Sequence, residues 1–365
     1  MTSSPSQPSR APFEVVRLTT PGELQPWRLQ WNALSRDIPF CRWEWLEGWW
    51  RHYGQSAGHP RRGRELYVLA VIDATQSLVA LAPWYLERSA PLGRVVRFLG
   101  GGEVCSEYLS LLAREGDEEA AAKTLAEWLT REGASQGADR WDAIKLIGVE
   151  RDNLTVGRLL GHLAKRGQFI ERRSGLNCWR LSLPATWEQY LAILSKCHRK
   201  QLRRLDRDYF RSGRAVVHWV HQPRDLERAL AILVDLHQRR WQKRGHAGCF
   251  ASPRFLEFHS ELAARLLPQN GLLMNWLELD GHPIAAEYHL AAAGVVYAYQ
   301  SGIDPESLAH QPGRLSNLAA IRRAIERGDR FFDFLRGDEP YKAHWRAAPR
   351  ACYDAIIVPS RMSAR

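Results

Sequence analysis

Two periods alternate along this chain. Short apolar runs with every second residue turned aside read as strands, and segments with apolar residues every three or four positions read as helices. In the first half the pattern predicts strands at EVVRL, at 66–72 and 78–86 as one hairpin, and at RVVRFLGG, EYLSLLA, DAIKLIGV and CWRLSL. Two short Trp-rich helices split near Pro39, and further helices are expected over about 117–133 and at NLTVGRLLGHLAKRG. The second half opens with a long helix over 188–211, in which Leu194, Leu202, Leu205 and Tyr209 share a face. Strand AVVHWV, helix DLERALAILVDLHQRRWQKRG closed by Gly245, helix FLEFHSELAARLLPQNG and strand LLMNWLELDG follow. A hairpin turning near Gly294, a helix from Arg314, strand DRFFDFLRG, a short helix at PYKAHWR and strand ACYDAIIV complete the chain. This is a mixed α/β pattern.

The length, 365 residues, favours two domains. Pro184 marks the expected boundary, giving a polar, Pro-rich and disordered tail at 1–12, one domain over 13–183 and a second over 184–360. No apolar run is long enough to span a bilayer, and the N-terminus lacks a signal-peptide core, so a cytoplasmic protein is expected. Six scattered cysteines without paired spacing suit a reducing compartment and suggest no metal site. The net charge of +11 points to anionic partners: phosphates, nucleic acid, a CoA-type molecule or an acidic membrane face. Much of it is local, because residues 195–214 carry eight Lys/Arg against two Asp.

Several groups carry candidate chemistry. Gln311, Pro312, Gly313, Arg314 and Leu315 open a helix, whose free N–H groups and positive dipole end suit a pyrophosphate; the alternative is an ordinary Pro-Gly turn. Glu287 and His289 share one face of a hairpin strand and suit a general base, or equally a half-exposed polar face. Asp333 lies between two phenylalanines on the opposite face, as a catalytic carboxylate or as the structural partner of Arg336 or Arg322. Arg199, Arg203 and Arg207 recur every four residues; like charges at that spacing oppose a helix, so an anion that offsets them is expected there. That anion is a precursor phosphate or, alternatively, a tRNA backbone. The same long helix also suits an oligomer interface.

The pieces WNALSRDIPFCRWEWLEGWWRHYG, FLGGGEVCSEYLSLL, LSKCHRKQLRR, LVDLHQRRWQKRG, GHPIAAEYHL, QPGRLSNLAAI and FDFLRGDEPYKAHW, in this order, resemble the Fem-like branch of the GNAT acyltransferases. Most closely, the chain resembles the acetyltransferases associated with bacterial cellulose and exopolysaccharide synthesis (CelD/BcsL type). The resemblance implies two tandem GNAT-like domains, each a twisted mixed sheet flanked by helices, with the site in the cleft between them. It implies an acyl-CoA, most simply acetyl-CoA, as donor, and as acceptor an amine or hydroxyl on a nucleotide-sugar or lipid-linked envelope precursor. An aminoacyl-tRNA donor and a non-catalytic scaffold that holds nucleic acid or a membrane-associated synthase are the alternatives. It further implies an electrostatic role for Lys342 near phosphates, and a proton-donor role for Tyr341, which is otherwise a packing aromatic. Glu107, Tyr108, Arg199, Arg203 and Arg336 would bind the acceptor. His237, Arg240 and Trp241 also match the family, with His237 read as a core residue. The chain departs from the family's pyrophosphate loop: only Gln311-Pro312-Gly313-Arg314 stands where two further loop positions are usual.

Overall fold

A computed structural model describes residues 13–54, 63–89, 91–131 and 137–360. The expected tail at 1–12 lies outside the described residues. Three sheets carry the architecture: one of four strands, one of six and one of seven. Most predicted elements form within a few residues of their expected bounds, among them helix Pro223–Gln242, helix Pro312–Glu326 and strand Phe331–Arg336.

Three expectations fail for local reasons. The hairpin at 66–86 splits into Arg64–Leu66 with Trp84–Ser89 in the six-stranded sheet, and Val68–Ile72 with Leu78–Ala82 in the four-stranded sheet. The break falls at Tyr67 and Pro83, and a proline without an N–H cannot continue a ladder through a central position. The long helix over 188–211 is three pieces: Trp187–Ile193, Lys196–Leu205 and a π-helical turn at Asp206–Arg211. Leu194 is extended, and Ser195 caps the second piece by accepting from the His198 N–H. The expected strand EYLSLLA shrinks to Leu112–Ala113, because Tyr108 takes a positive φ of 58°.

The expected boundary at 183/184 does not separate the sheets. Strand Cys178–Ser182 pairs between Phe331–Arg336 and Ala348–Arg350 in the seven-stranded sheet. Strand Cys352–Val358, near the C-terminus, pairs between Ala143–Glu150 and Phe169–Ser174 in the six-stranded sheet. Each half therefore completes its sheet with a strand from the other side of the boundary. The main core is continuous in consequence, running from Leu18 through Trp45 and Phe258 to Leu335 and Ile357. Helix Trp43–Tyr53 explains its own tryptophans at this junction. The Trp45 ring meets Phe258 and Tyr299 edge-on, each at 5.4 Å, while its Nε1 donates to Ser106 Oγ at 2.7 Å. No helix among the described residues is long and apolar enough to cross a membrane.

The feature that positions the site is a parallel strand pair that comes apart. Val295–Ile303 pairs with Phe331–Arg336 only at Val295–Phe331, Val296–Phe332 and Tyr297–Asp333. Beyond that point the strands diverge, although Val295–Ile303 keeps its other neighbour, His282–Ala292, as far as Ile303.

Candidate active site

The divergence opens a cavity of about 530 Å³. Ala298 to Ser301 and Ile303 line one edge, Phe334 and Arg336 the other, and Gly313, Arg314 and Asn317 enter from helix Pro312–Glu326. Arg240 comes from helix Pro223–Gln242, and Tyr341, Lys342 and Trp345 from the segment after strand Phe331–Arg336. The two helices cover opposite faces of the sheet. Leu233 and Leu236 join the core around Tyr288, whereas Leu315 and Leu318 join that around Ala285 and Phe334. The cavity draws walls from both.

Strand Phe331–Arg336 ends in an unusual backbone. Leu335 has φ 57° and Gly337 φ 120°, so the chain turns and its carbonyls converge. Lys342 Nζ closes that turn, donating to the carbonyls of Leu335, Arg336 and Gly337 at 3.1, 2.9 and 2.9 Å and pairing with Glu339 at 2.9 Å. The ammonium has three protons, and the three carbonyls and the Glu339 carboxylate surround it. Lys342 is 2% exposed. This corrects the expectation of a lysine reaching phosphates: its charge lies in the cavity wall, but its donors are committed to the turn. Asp338, just before the short helix, accepts from Asn177 and Trp179.

Asp333 has no solvent exposure. It accepts from Tyr108 Oη at 2.6 Å, Arg180 Nε at 2.7 Å and the Leu335 N–H at 2.8 Å. Its partner is thus neither Arg336 nor Arg322. Arg322 pairs with Asp206 at 2.8 Å, and Arg336 donates to Glu107 at 2.8 Å. The Arg180 guanidinium also stacks over the Tyr108 ring at 5.2 Å. Glu107 and Tyr108 are therefore engaged with the second domain's strand rather than presented to a ligand. Burial pushes the Glu107 carboxyl up to about 7, against the pull of Arg336.

Glu287 and His289 separate in role. Glu287 lines the cavity, is 6% exposed and accepts from Ser316 Oγ at 2.5 Å. Burial raises its carboxyl to about 7, while Ser316 and the nearby Arg240 oppose the rise. His289 lies behind it, with Nε2 3.8 Å from Glu287 and its ring 5.6 Å from Phe332. Burial holds the imidazole neutral, with its pKa lowered to about 3. Neither ring nitrogen has a hydrogen-bond partner among the described residues. The expectation of a half-exposed polar strand face is corrected: both side chains are buried. Tyr341 lines the cavity, and its hydroxyl is pushed well above the ordinary tyrosine value, mainly by burial, so it stays protonated.

The expected phosphate cradle is largely closed. Gln311 takes a left-handed conformation, and its carbonyl accepts the Arg314 N–H at 2.9 Å and the Leu315 N–H at 3.1 Å. Pro312 has no N–H, which leaves Gly313 as the donor in this first turn that faces the cavity. The Arg314 side chain donates to Gln311 at 3.0 Å. Of the basic helix Lys196–Leu205, His198 reaches the cavity, while Arg199 and Arg203 lie outside its lining. His237 is buried against Phe250 and Trp241, as a core residue.

Sequence reasoning passed over Arg180, Ser316, Asn317 and His198, and noted Arg240 without giving it a role. Arg180 had a signal, an arginine inside the apolar strand CWRLSL. Ser316 had none, because its meaning depends on the strand that passes beside it.

Residues 196–343 match the acetyltransferase (GNAT) domain family. That match covers less than half of the chain. No curated protein matches the chain in sequence. Among solved structures, FemX is similar with a TM-score of 0.64 at 11% identity over 96% of this chain and 98% of its own. A conserved protein of unknown function from Bacteroides thetaiotaomicron is similar with a TM-score of 0.56 at 12% identity, covering 92% of this chain and 97% of its own. The C-terminal domain of a candidate lysylphosphatidylglycerol synthetase from Agrobacterium fabrum has a TM-score of 0.51 at 11% identity, with 90% of each chain covered. Identities this low establish a shared fold.

Replacing Lys342 with methionine keeps its length and removes every donor. Three carbonyls then lose their partner in a buried turn, and denaturant unfolding should show a loss of about 3 kcal/mol. Unchanged stability would contradict the clamp.

Proposed function

We propose that this protein is an acyltransferase that moves an acyl group, most simply acetyl, from acyl-CoA to an amine or hydroxyl of a cell-surface polysaccharide or envelope precursor. The observation that carries this reading is the split between Val295–Ile303 and Phe331–Arg336. Past Tyr297 and Asp333 the two strands no longer pair with each other; the carbonyls of Leu335 and Arg336 turn to Lys342, and the edge of Val295–Ile303 that faces the gap has no strand partner among the described residues. An extended chain that carries amides can pair with such an edge as an added strand would. The pantetheine arm of CoA has that form, with its thioester at one end.

Residues at the cavity then divide the chemistry. Glu287, with a pKa of about 7, takes the proton of the attacking amine or hydroxyl. Ser316 fixes the carboxylate's orientation. Arg240 supports charge: it lines the cavity, its Nε is buried without a partner among the described residues, and an oxyanion forming on the thioester carbonyl would accept from it. Tyr341, held protonated, donates a hydrogen bond to the leaving thiolate, whose charge is balanced by the proton that Glu287 takes from the acceptor. Lys342 contributes its field rather than a hydrogen bond. His289 stays neutral and packs behind Glu287. The remaining rate comes from holding donor and acceptor together. Gly313 and the Arg314 side chain are the groups of the helix start that remain for a phosphate, which makes the phosphate contacts depend on side chains more than on backbone.

A second reading, an aminoacyl-tRNA donor, draws on that closed helix turn and on the arginines of Lys196–Leu205 beside the His198 rim.

Titration calorimetry with acetyl-CoA tests the donor: saturable binding that Ala298→Trp, which fills the split, abolishes is expected. Absence of binding by acetyl-CoA and by longer acyl-CoAs would move the assignment to the second reading. The Glu287 role predicts an acid limb in kcat/KM with a midpoint near 7, since only the ionised carboxylate accepts a proton, and Glu287→Gln should lose it with at least about a hundredfold in rate. The same shift has a stability sign. The folded-state value lies above the ordinary 4.5, so the contribution is full below 4.5 and disappears as pH rises through about 7. Glu287→Gln should flatten that part of a stability profile; a slope equal to wild type would contradict the assignment.

A further inference from the structure

Arg336 lines a second cavity, of about 380 Å³, on the six-stranded sheet of the first domain. Register explains its lining. Arg64 lies opposite Glu87, Tyr85 opposite Arg97, and Arg97 beside Lys145 on the neighbouring parallel strand. Directly opposed residues share a face, and so do residues two apart along a strand. Arg64, Arg97 and Lys145 therefore stand together on one face, with strands about 4.8 Å apart. Glu87 accepts from Arg97 and lies 3.6 Å from Arg64. Lys145 has no carboxylate within ion-pair reach among the described residues. Arg64 also donates to the Tyr53 carbonyl at 2.6 Å and lies over the Trp49 and Tyr85 rings, so Arg64 and Arg97 have partners in the fold; Lys145, a like charge beside Arg97 on the adjacent strand, is the one for which folding gives no reason. At the far wall Arg336 is balanced by Glu107, and through Arg336 the cavity abuts the transfer site.

We infer that this first-domain cavity holds a phosphate group of the acceptor, and that the acceptor reaches from there past Arg336 to Glu287. The inference rests on reading the neighbouring cavity as the transfer site. Three cations face one carboxylate across the row, and the surplus is made only of donors. Guanidinium and ammonium groups in this arrangement pair with the several oxygens of a phosphate. Phe98 and Ile147 supply an apolar wall for whatever the phosphate carries.

The test is titration calorimetry of the full chain with inorganic pyrophosphate and, separately, with acetyl-CoA. Saturable pyrophosphate binding is expected, weakened about tenfold by Lys145→Gln and by Arg97→Gln, and retained in Lys145→Arg. Acetyl-CoA affinity should be the same in all of them. Glucose 1-phosphate and phosphatidate vesicles tell a free phosphate ester from a lipid-borne one, and binding of either should depend on Lys145. Equal pyrophosphate affinity in wild type and Lys145→Gln, or no saturable binding, would overturn the inference. So would a parallel loss of acetyl-CoA affinity in Lys145→Gln, which would give the cavity to the donor. Pyrophosphate binding by a protein that does not bind acetyl-CoA would uphold the phosphate site and sink the acyl-CoA reading alone.

Discussion

A carboxylate sealed from water must be paired, or the fold that encloses it loses several kcal/mol. Asp333 is such a group, and its partners come from three parts of the chain: Tyr108 from the first domain, Arg180 from the exchanged strand, and the backbone of Leu335. The arrangement holds strand Phe331–Arg336 where the two domains meet. It also coincides with the last paired residue before that strand leaves Val295–Ile303. The position of the ion pair and the position of the opening are thus one structural fact. Everything at the cavity depends on the strand that Asp333 anchors.

From there the local structure follows. A strand released from its neighbour needs another way to satisfy its carbonyls, and the left-handed turn at Leu335 directs three of them at Lys342 Nζ. The turn brings Tyr341 and Trp345 over the opening. On the other side Ser316 and Arg240 approach Glu287 from helices on opposite faces of the sheet, which the gap allows and a continuous ladder would prevent. The titratable groups crowded into 331–345 have separate tasks: Asp333 joins domains, Arg336 meets Glu107, Lys342 clamps a turn, and Tyr341 faces the cavity.

Much of the fold could be read from the periodicity of the chain, because strands and helices with a buried face declare their period. What could not be read was pairing between distant segments. CWRLSL looks like the last strand of one domain and ACYDAIIV like the last of the other; only their partners reveal the exchange. The site divided in the same way. Glu287 stood out as a carboxylate in an apolar strand, whereas its contact with Ser316 depends on tertiary placement. Lys342 was expected to act near phosphates, yet its charge answers three carbonyls belonging to other residues. Gln311-Pro312-Gly313-Arg314 resembled a helix entrance with free donors, and the left-handed Gln311 turns its own carbonyl onto two of them.

The central claim is that the gap between the two splayed strands receives the donor along the free edge of Val295–Ile303. Amide hydrogen exchange with and without acetyl-CoA addresses it directly. The account predicts new protection at Ala298–Ile303, with little change on the first-domain sheet. Protection confined to the first-domain sheet, or none at that edge under saturating acetyl-CoA, would contradict it.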